Sequence, residues 1–592
     1  MRGIGPFLKD AWRLARPYFM TSDERWSARL LLLSIVAMNL TLVGFSVVLS
    51  FWRREFYNAL QDKDWKAFLE LLFLYRHTPS GLLPGFCEVA AIFILLYVYS
   101  VYLNQLLQIR WRRWMTREFL AEWLSDRAYY HISLTVDAAA IGTDNPDQRV
   151  AEDLRDFADT TLSLGLGLLS NVVSMFSFIS ILWGLSGSVV VFGMPIPGYM
   201  VWVALAYAVV GTWLTHLVGR PLAILSFRQQ RVEADFRYAL VRIRENMENI
   251  ALYRGEEEEA VTLRARFAAV IANWRQIMSR TKLLNTLTSG YDQVAGIFPI
   301  VVAAPRYFAG TMQLGGLMQT AGAFGQVQGA MSWFVSSYVQ LATWRAIVER
   351  LATFHRAIEK ARAETHGGFD PAVSPDGDVR LNDVTMMLPD GTKLLEGADL
   401  LLTRGHSVIV TGRSGSGKTT LFRVLAGIWP FGSGSVRIPE RSFFLPQRPY
   451  MPLGTLRHAI TYPNPVDAFS EQDMLQVLRD VGLPLLCDRL EYDDNWPMRL
   501  SMGEQQRLGF ARAILAKPDW IFLDEATASV DPEAEAELYG ILKARLPDAT
   551  LVSIAHRTSV AAFHERRLTL SRTAGESGAL AASAVVPEPA GD

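Results

Sequence analysis

The chain alternates between long runs without a charge and runs dense in them. Residues 30–52 are uncharged and lie between Arg29 and Arg53; residues 89–109 are also uncharged and end at Arg110. Lipid offers no partner to an open backbone, so a run of about 20 apolar residues reads as a spanning helix. Residues 160–219 hold no formal charge, which is too long for one span. The interval 184–198, with Pro195 and Pro197, divides that run into two spans joined by a short outer loop. Residues 307–344 form another uncharged run whose first ten positions read as loop, and a weaker span over 284–304 contains Asp292. The pattern predicts six spanning helices, followed from about residue 345 by ordinary soluble patterning.

Basic residues near helix ends set the orientation. Lys9, Arg13 and Arg16 precede the first span, Arg110, Arg112, Arg113 and Arg117 follow the second, and Arg220, Arg228 and Arg231 follow the fourth. All three groups belong on the cytoplasmic side. Alternation then puts residues 53–86 outside despite their own basic residues. The cytoplasmic segments 110–159 and 220–282 are long and helix-patterned. Asp292 stands out, because a carboxylate facing lipid costs about 3 kcal/mol on insertion scales. It is expected to face a cavity or another helix, unless the fifth helix begins later and leaves it at the membrane edge.

Composition agrees with this division. Half of the 592 residues are hydrophobic and 20% are charged, which leans toward a membrane protein. A net charge of -1 gives no global field for nucleic acid. The first twenty residues mix Lys9, Asp10, Arg13 and Arg16 with apolar residues, so the first membrane helix, not a cleaved leader, is expected to direct insertion. Cys87 and Cys487 fit no metal-binding spacing and read as two small buried residues.

The soluble part carries chemistry. Residues 407–411 read as a buried strand that runs into Gly412, Arg413, Ser414, Gly415, Ser416, Gly417, Lys418, Thr419 and Thr420, and then into a helix. This is a P-loop in the strand–loop–helix context it requires. Its glycines let backbone N–H groups face phosphates at the positive end of the helix. Lys418 is placed for the β- and γ-phosphates and the Thr419 hydroxyl for Mg²⁺. A second apolar strand over 520–523 ends in Asp524 and Glu525, a Walker B pattern: Asp524 supports the metal and Glu525 polarises the attacking water. An ordinary strand capped by acids would look the same.

Between the two strands, Leu500-Ser501-Met502-Gly503-Glu504-Gln505-Gln506-Arg507 resembles the signature sequence of ABC ATPases. By the same resemblance, Gln447 matches the glutamine that reaches the metal and the attacking water. Ser529-Val530-Asp531 matches the D-loop and His556 the switch histidine. The order of all five motifs is that of the family. Met502 and Glu504 stand where Gly and Gln are usual, whereas Ser501 and Gly503, the expected γ-phosphate contacts, are kept. The stretch 386–391 lacks the aromatic residue on which many relatives stack adenine, leaving Leu388 to pack there. The resemblance implies Glu525, His556 and Gln447 as catalytic residues. It implies 412–420 with Ser501, Gly503 and Glu504 as the ATP site, and Thr419, Gln447 and Asp524 around Mg²⁺. Because one subunit's signature completes the other's ATP site in this family, it also implies a homodimer.

In the membrane part, Phe51-Trp52-Arg53-Arg54-Glu55-Phe56-Tyr57-Asn58-Ala59-Leu60-Gln61, Arg110-Trp111-Arg112-Arg113-Trp114-Met115-Thr116, Asp144-Asn145-Pro146-Asp147-Gln148-Arg149, Glu233-Ala234-Asp235-Phe236-Arg237 and Glu248-Asn249-Ile250-Ala251-Leu252-Tyr253-Arg254-Gly255-Glu256 look like the SbmA/BacA-like membrane domain, here fused to its own ATPase. The architecture is also similar to the acyl-CoA transporters of the ABC D subfamily. Plainer readings stand beside these: positive-inside anchoring for 110–117, a helix-start turn for 144–149, a solvated charged face for 248–256. The implied fold is a six-span, exporter-type α-helical transmembrane domain plus an α/β P-loop ATPase, in the bacterial inner membrane with the ATPase in the cytoplasm. The implied activity is ATP-driven import of hydrophilic or antimicrobial peptides; cobalamin or multi-solute import and acyl-CoA or lipid transport are the alternatives. The expected partition is an amphipathic segment (1–26), the membrane domain (27–350), a linker (351–377), the ATPase (378–570) and a disordered tail (571–592).

Overall fold

The computed structural model describes residues 4–78, 81–134, 145–191, 194–363, 368–555, 557–571 and 579–584. Two compact units divide the chain, one formed by 1–119 and 145–352, the other by 120–144 and 353–592. The segment 120–144 thus groups with the ATPase, although sequence places it within the membrane domain.

The chain begins with helices α1 (Ile4–Met20), α2 (Arg25–Gln61), α3 (Trp65–Phe73), α4 (Phe86–Leu124), α5 (Ala128–Leu134) and the one-turn α6 (Pro146–Gln148). After these come α7 (Leu154–Ser186), α8 (Tyr199–Glu245), the short α9 (Met247–Tyr253), α10 (Glu256–Phe308) and α11 (Leu314–Ala363). Helix α1 buries Ala11, Leu14, Ala15 and Tyr18, an i, i+3, i+4, i+7 stripe that makes it amphipathic. Four described stretches are long and apolar enough to cross a membrane: Arg25–Gln61, Phe86–Leu134, Pro146–Ser186 and Tyr199–Glu245. Helices α10 and α11, of 53 and 50 residues, have the length but carry long charged ends. Helix α10 is unbroken through Asp292, so that residue does not mark a helix start.

Helix ends in this unit are satisfied by distant side chains, as buried backbone requires. Gln61 Oε1 accepts from Leu314 N at 2.7 Å and Asn58 Oδ1 from Gly315 N at 2.9 Å, so the end of α2 caps the start of α11. A Cβ on Gly315 would lie 1.9 Å from the Arg54 carbonyl, hence the glycine. Arg306 of α10 donates to the Leu185 and Ser186 carbonyls, both at 2.6 Å, and closes the end of α7. Buried Asp153 accepts from Arg149 at 2.9 Å and from Nε and Nη2 of Arg350. Arg149 therefore turns into its own unit. Pro146 occupies the first turn of α6, as the helix-start reading expects; Asp144 lies outside the described residues.

The second unit is built on a six-stranded sheet in the order Ser442–Leu445, Trp520–Asp524, Thr550–Ile554, Val408–Thr411, Arg566–Ser571, Ala579–Ala584. The first five strands are parallel and only the last is antiparallel. Beside it is a four-stranded sheet of Gly368–Val373, Gly432–Ile438, Val379–Met387 and Lys393–Leu402. Three expectations are corrected here. Most of the expected linker is ordered: α11 runs to Ala363, with Leu351, Phe354, Ile358 and Ala361 buried at helical spacing, and Gly368–Val373 is a strand. Part of the expected disordered tail is a strand too: Ala579–Ala584 pairs antiparallel with Arg566–Ser571. Cys87 is exposed and Cys487 half-buried, so neither is a core residue.

Candidate functional site

Strand Val408–Thr411 is buried and flanked on both sides by parallel strands, which aims its carboxyl end at one edge of the sheet. Ligands of open α/β sheets bind outside that edge. The turn that follows needs positive φ at Gly412 (153°), Gly415 (77°) and Gly417 (101°). A Cβ on Gly412 would lie 2.4 Å from the Leu570 carbonyl, so the backbone has no room for a side chain there. Gly417 caps α12 (Lys418–Leu425). Lys418 Nζ donates back to the carbonyls of Gly412 at 2.7 Å and Arg413 at 3.1 Å. A cation is thereby held over a loop of backbone amides, the arrangement that binds phosphate.

Strand Trp520–Asp524, separated from Val408–Thr411 by Thr550–Ile554, brings the acids. Thr419 Oγ1 donates to Asp524 Oδ1 at 3.3 Å, an alcohol and a carboxylate oxygen of the kind a hard divalent cation takes. Burial holds the Asp524 carboxyl above its usual range, with the Thr419 hydrogen bond opposing that shift and Glu525 adding to it. Glu525 follows in the left-handed region, φ 47°, its N–H bonded to the Ile554 carbonyl at 3.0 Å. Gln447 Nε2 donates to Glu525 Oε2 at 3.1 Å. Thus Lys418, Thr419, Asp524, Glu525 and Gln447, scattered over about a hundred residues, converge at the carboxyl edge of one parallel sheet.

The signature residues lie at the start of helix Met502–Ala516. Ser501 and Glu504 form a reciprocal capping box: Ser501 N donates to Glu504 Oε2 at 2.8 Å, and Glu504 N to Ser501 Oγ at 3.3 Å. Glu504 thus uses its carboxylate as the cap acceptor, a role glutamine fills equally. A Cβ on Gly503 would lie 3.2 Å from the Ser529 carbonyl. Gln506, read only as part of the motif, turns out to be a bridge. Its Nε2 donates to the Gln447 carbonyl at 3.0 Å and its Oε1 accepts from Ser529 N at 3.0 Å, tying the Gln447 loop to the Ser529 loop. Buried Glu535, which sequence reasoning missed, accepts from Thr527 at 2.5 Å and Ser559 at 2.7 Å. Its only signal was its place one turn into a helix capped by Asp531. His556 lies outside the described residues. Where adenine was expected, Leu388 packs against the core and the Met387 carbonyl accepts from Trp429 Nε1 at 2.9 Å.

Within this unit the segment after α4 meets the P-loop helix. Arg127 Nη1 donates to the Ala426 and Gly427 carbonyls at 3.0 and 2.9 Å, capping the end of α12.

A strand–P-loop–helix, an acidic pair at the end of a second strand of the same parallel sheet and a capped signature helix, in a chain that opens with long apolar helices, define an ATPase joined to a membrane domain. Comparison with known families agrees: residues 14–308 match the ABC transporter transmembrane region 2 and residues 395–528 the ABC transporter family. A Haemophilus influenzae uncharacterized ABC transporter ATP-binding protein is 37% identical over 95% of this chain and 92% of its own. The Escherichia coli inner membrane ABC transporter ATP-binding protein YddA is 32% identical over 92% of this chain and 94% of its own. The Arabidopsis thaliana chloroplastic ABC transporter D family member 2 is 31% identical over 95% and 86%. A bacterial Atm1-family ABC exporter with ATP bound shares the fold, with TM-score 0.62, 18% identity and coverage of 92% and 93%. The chain belongs to the ABC transporters and is related to their D family. It is an ATP-hydrolysing transporter with an exporter-type helical membrane domain fused to its ATPase.

Proposed function

We propose that the chain works as a homodimer in the bacterial inner membrane and uses ATP hydrolysis to import cationic, hydrophilic peptides. On this reading Lys418 exchanges its two loop carbonyls for phosphate oxygens, and the amides of 412–420 cradle the phosphates. Thr419, Asp524 and Gln447 hold Mg²⁺, which neutralises charge on the phosphates when bound. Glu525, oriented by Gln447, polarises the attacking water, and His556 serves as the switch histidine. Ser501, Gly503 and Glu504 of the second copy close the site.

One observation supports a cationic solute. Asp292 is the one formal charge between Lys282 and Arg306, and its side chain is exposed in the single chain. A carboxylate is too costly to leave against lipid, so it belongs on an aqueous cavity. There it favours cationic peptides over anionic acyl-CoA. The test is competition among labelled cationic peptide, cobalamin and acyl-CoA in proteoliposomes, repeated with Asp292→Asn. The reading expects peptide to win and Asp292→Asn to lower its uptake more than basal ATPase activity. Unchanged peptide uptake at matched expression, or preference for acyl-CoA, would overturn it.

A further inference from the structure

A polar pocket of about 260 Å³ lies between α4 and α7, in neither the ATP site nor the Asp292 region. From α4 come Gln105, Gln108, Ile109 and Arg112, at i, i+3, i+4 and i+7, so one face of the helix lines it. From α7 come Arg155, Asp156 and Asp159. The walls are fixed by their own hydrogen bonds. Gln108 Nε2 donates to Asp159 Oδ1 at 2.8 Å, Arg112 Nη2 to the Ala151 carbonyl at 3.1 Å, and Arg155 Nε to Asp156 Oδ1 at 2.8 Å. Asp159 uses one oxygen in this way and Arg112 one nitrogen, which leaves the second oxygen and the rest of the guanidinium to a ligand.

Two features say what the ligand is. The lining charge is balanced, two guanidiniums against two carboxylates, so a purely anionic group meets as much repulsion as attraction whereas a zwitterion is complementary. The pocket also sits where charge begins on both helices: 89–109 is uncharged and ends at Arg110, and the uncharged run of α7 starts at Thr160, right after Asp159. That is the hydrocarbon–water boundary on the cytoplasmic side. Toward the membrane interior the same face of α4 exposes apolar side chains, Val98, Val101 and Tyr102. A polar pocket below an apolar wall matches an amphiphile.

We propose that this pocket binds a phospholipid of the cytoplasmic leaflet through a phosphoethanolamine headgroup. Arg112 and Arg155 take the phosphate, Asp156 and Asp159 the primary ammonium, and the acyl chains lie along the wall above. The inference needs only the membrane placement and is independent of the transported solute.

The test is lipid titration of the purified full-length protein in detergent, with bound lipid counted by native mass spectrometry. Phosphatidylethanolamine, phosphatidylglycerol and phosphatidylcholine of identical chains are compared. A hydrogen-bonded ammonium predicts roughly ten-fold tighter binding of phosphatidylethanolamine than of either other lipid. Asp159→Asn should weaken phosphatidylethanolamine, abolish its preference over phosphatidylglycerol and leave phosphatidylglycerol binding no weaker than before, since one repelling carboxylate is gone, whereas Arg112→Gln should weaken both. Should a variant misfold, stepwise N-methylation of the headgroup tests the wild-type protein alone and must weaken binding with each lost N–H. Equal binding of the three lipids, or a preference that survives Asp159→Asn, would overturn the proposal. So would equally effective occupancy by glycerophosphoethanolamine, which would make the ligand a soluble zwitterion.

Discussion

Glu525 sits at φ 47°, a conformation that costs an L residue about 1–2 kcal/mol and that recurs at functional sites. Its backbone bond to Ile554 and side-chain bond from Gln447 hold it there. Glu525→Gln keeps the size and an acceptor but cannot polarise water, so turnover should be lost while labelled ATP still binds; near wild-type ATPase activity would remove Glu525 from its role. Asp524 makes a separate prediction. Its carboxyl is held above the usual range by burial, so the folded state binds a proton more readily than the unfolded. Stability on its account falls as pH rises through the ordinary carboxylate range toward the folded value. Without nucleotide at pH 7.5, Asp524→Asn should melt no lower than wild type yet lose Mg²⁺-dependent hydrolysis. His564 behaves oppositely. Burial lowers it to about 4, and the Val560 carbonyl accepts from Nδ1–H at 2.8 Å, so Nε2 is the acceptor for the Ser553 hydroxyl at 2.9 Å. The unfolded histidine protonates below about pH 6.5 and the folded one does not, so up to about 3 kcal/mol is lost as pH falls from 6.5 to 4. His564→Gln should flatten that part of a stability–pH curve; an unchanged slope would place the acid sensitivity elsewhere.

At the scale of elements, the helix caps join distant parts of the chain. Asn58→Ala removes the acceptor for Gly315 N and should cost roughly 1 kcal/mol, the value of a lost N-cap. Gly315→Ala should cost more, since its Cβ meets backbone; equal melting of both variants and wild type would contradict the cap. Arg127→Ala frees two carbonyls at the end of α12 and should leave basal ATPase activity in place while reducing its stimulation by substrate. Undiminished stimulation would show that this contact does not relay between the parts. Spans and P-loop were legible because bilayer thickness and phosphate binding each impose a local, contiguous pattern. The caps were not, because Asn58 and Gln61 act about 250 residues away and nothing local marks them. Strand Ala579–Ala584 escaped for a related reason: a tail of Ala, Gly, Pro and Ser looks disordered until an open sheet edge is there to pair with it. Gln506 was legible as a motif letter but not as a bridge, since the two loops it joins meet only in the folded domain.

At the scale of the whole molecule, the proposed homodimer has two ATP sites, each completed by the signature helix of the other copy. Lys418→Ala and Ser501→Ala carried on one subunit of a mixed dimer should damage both sites. Split between subunits, they should fall in one site and leave the other intact. Equal loss of nucleotide binding in both arrangements would contradict a shared site. The most direct measurement of the central claim is uptake of a labelled cationic peptide into proteoliposomes that enclose ATP and carry the ATPase domain inside. The account predicts ATP-dependent accumulation by the wild-type chain and none by Glu525→Gln. Accumulation without ATP, accumulation retained by Glu525→Gln, or no peptide accumulation beside active hydrolysis would contradict it.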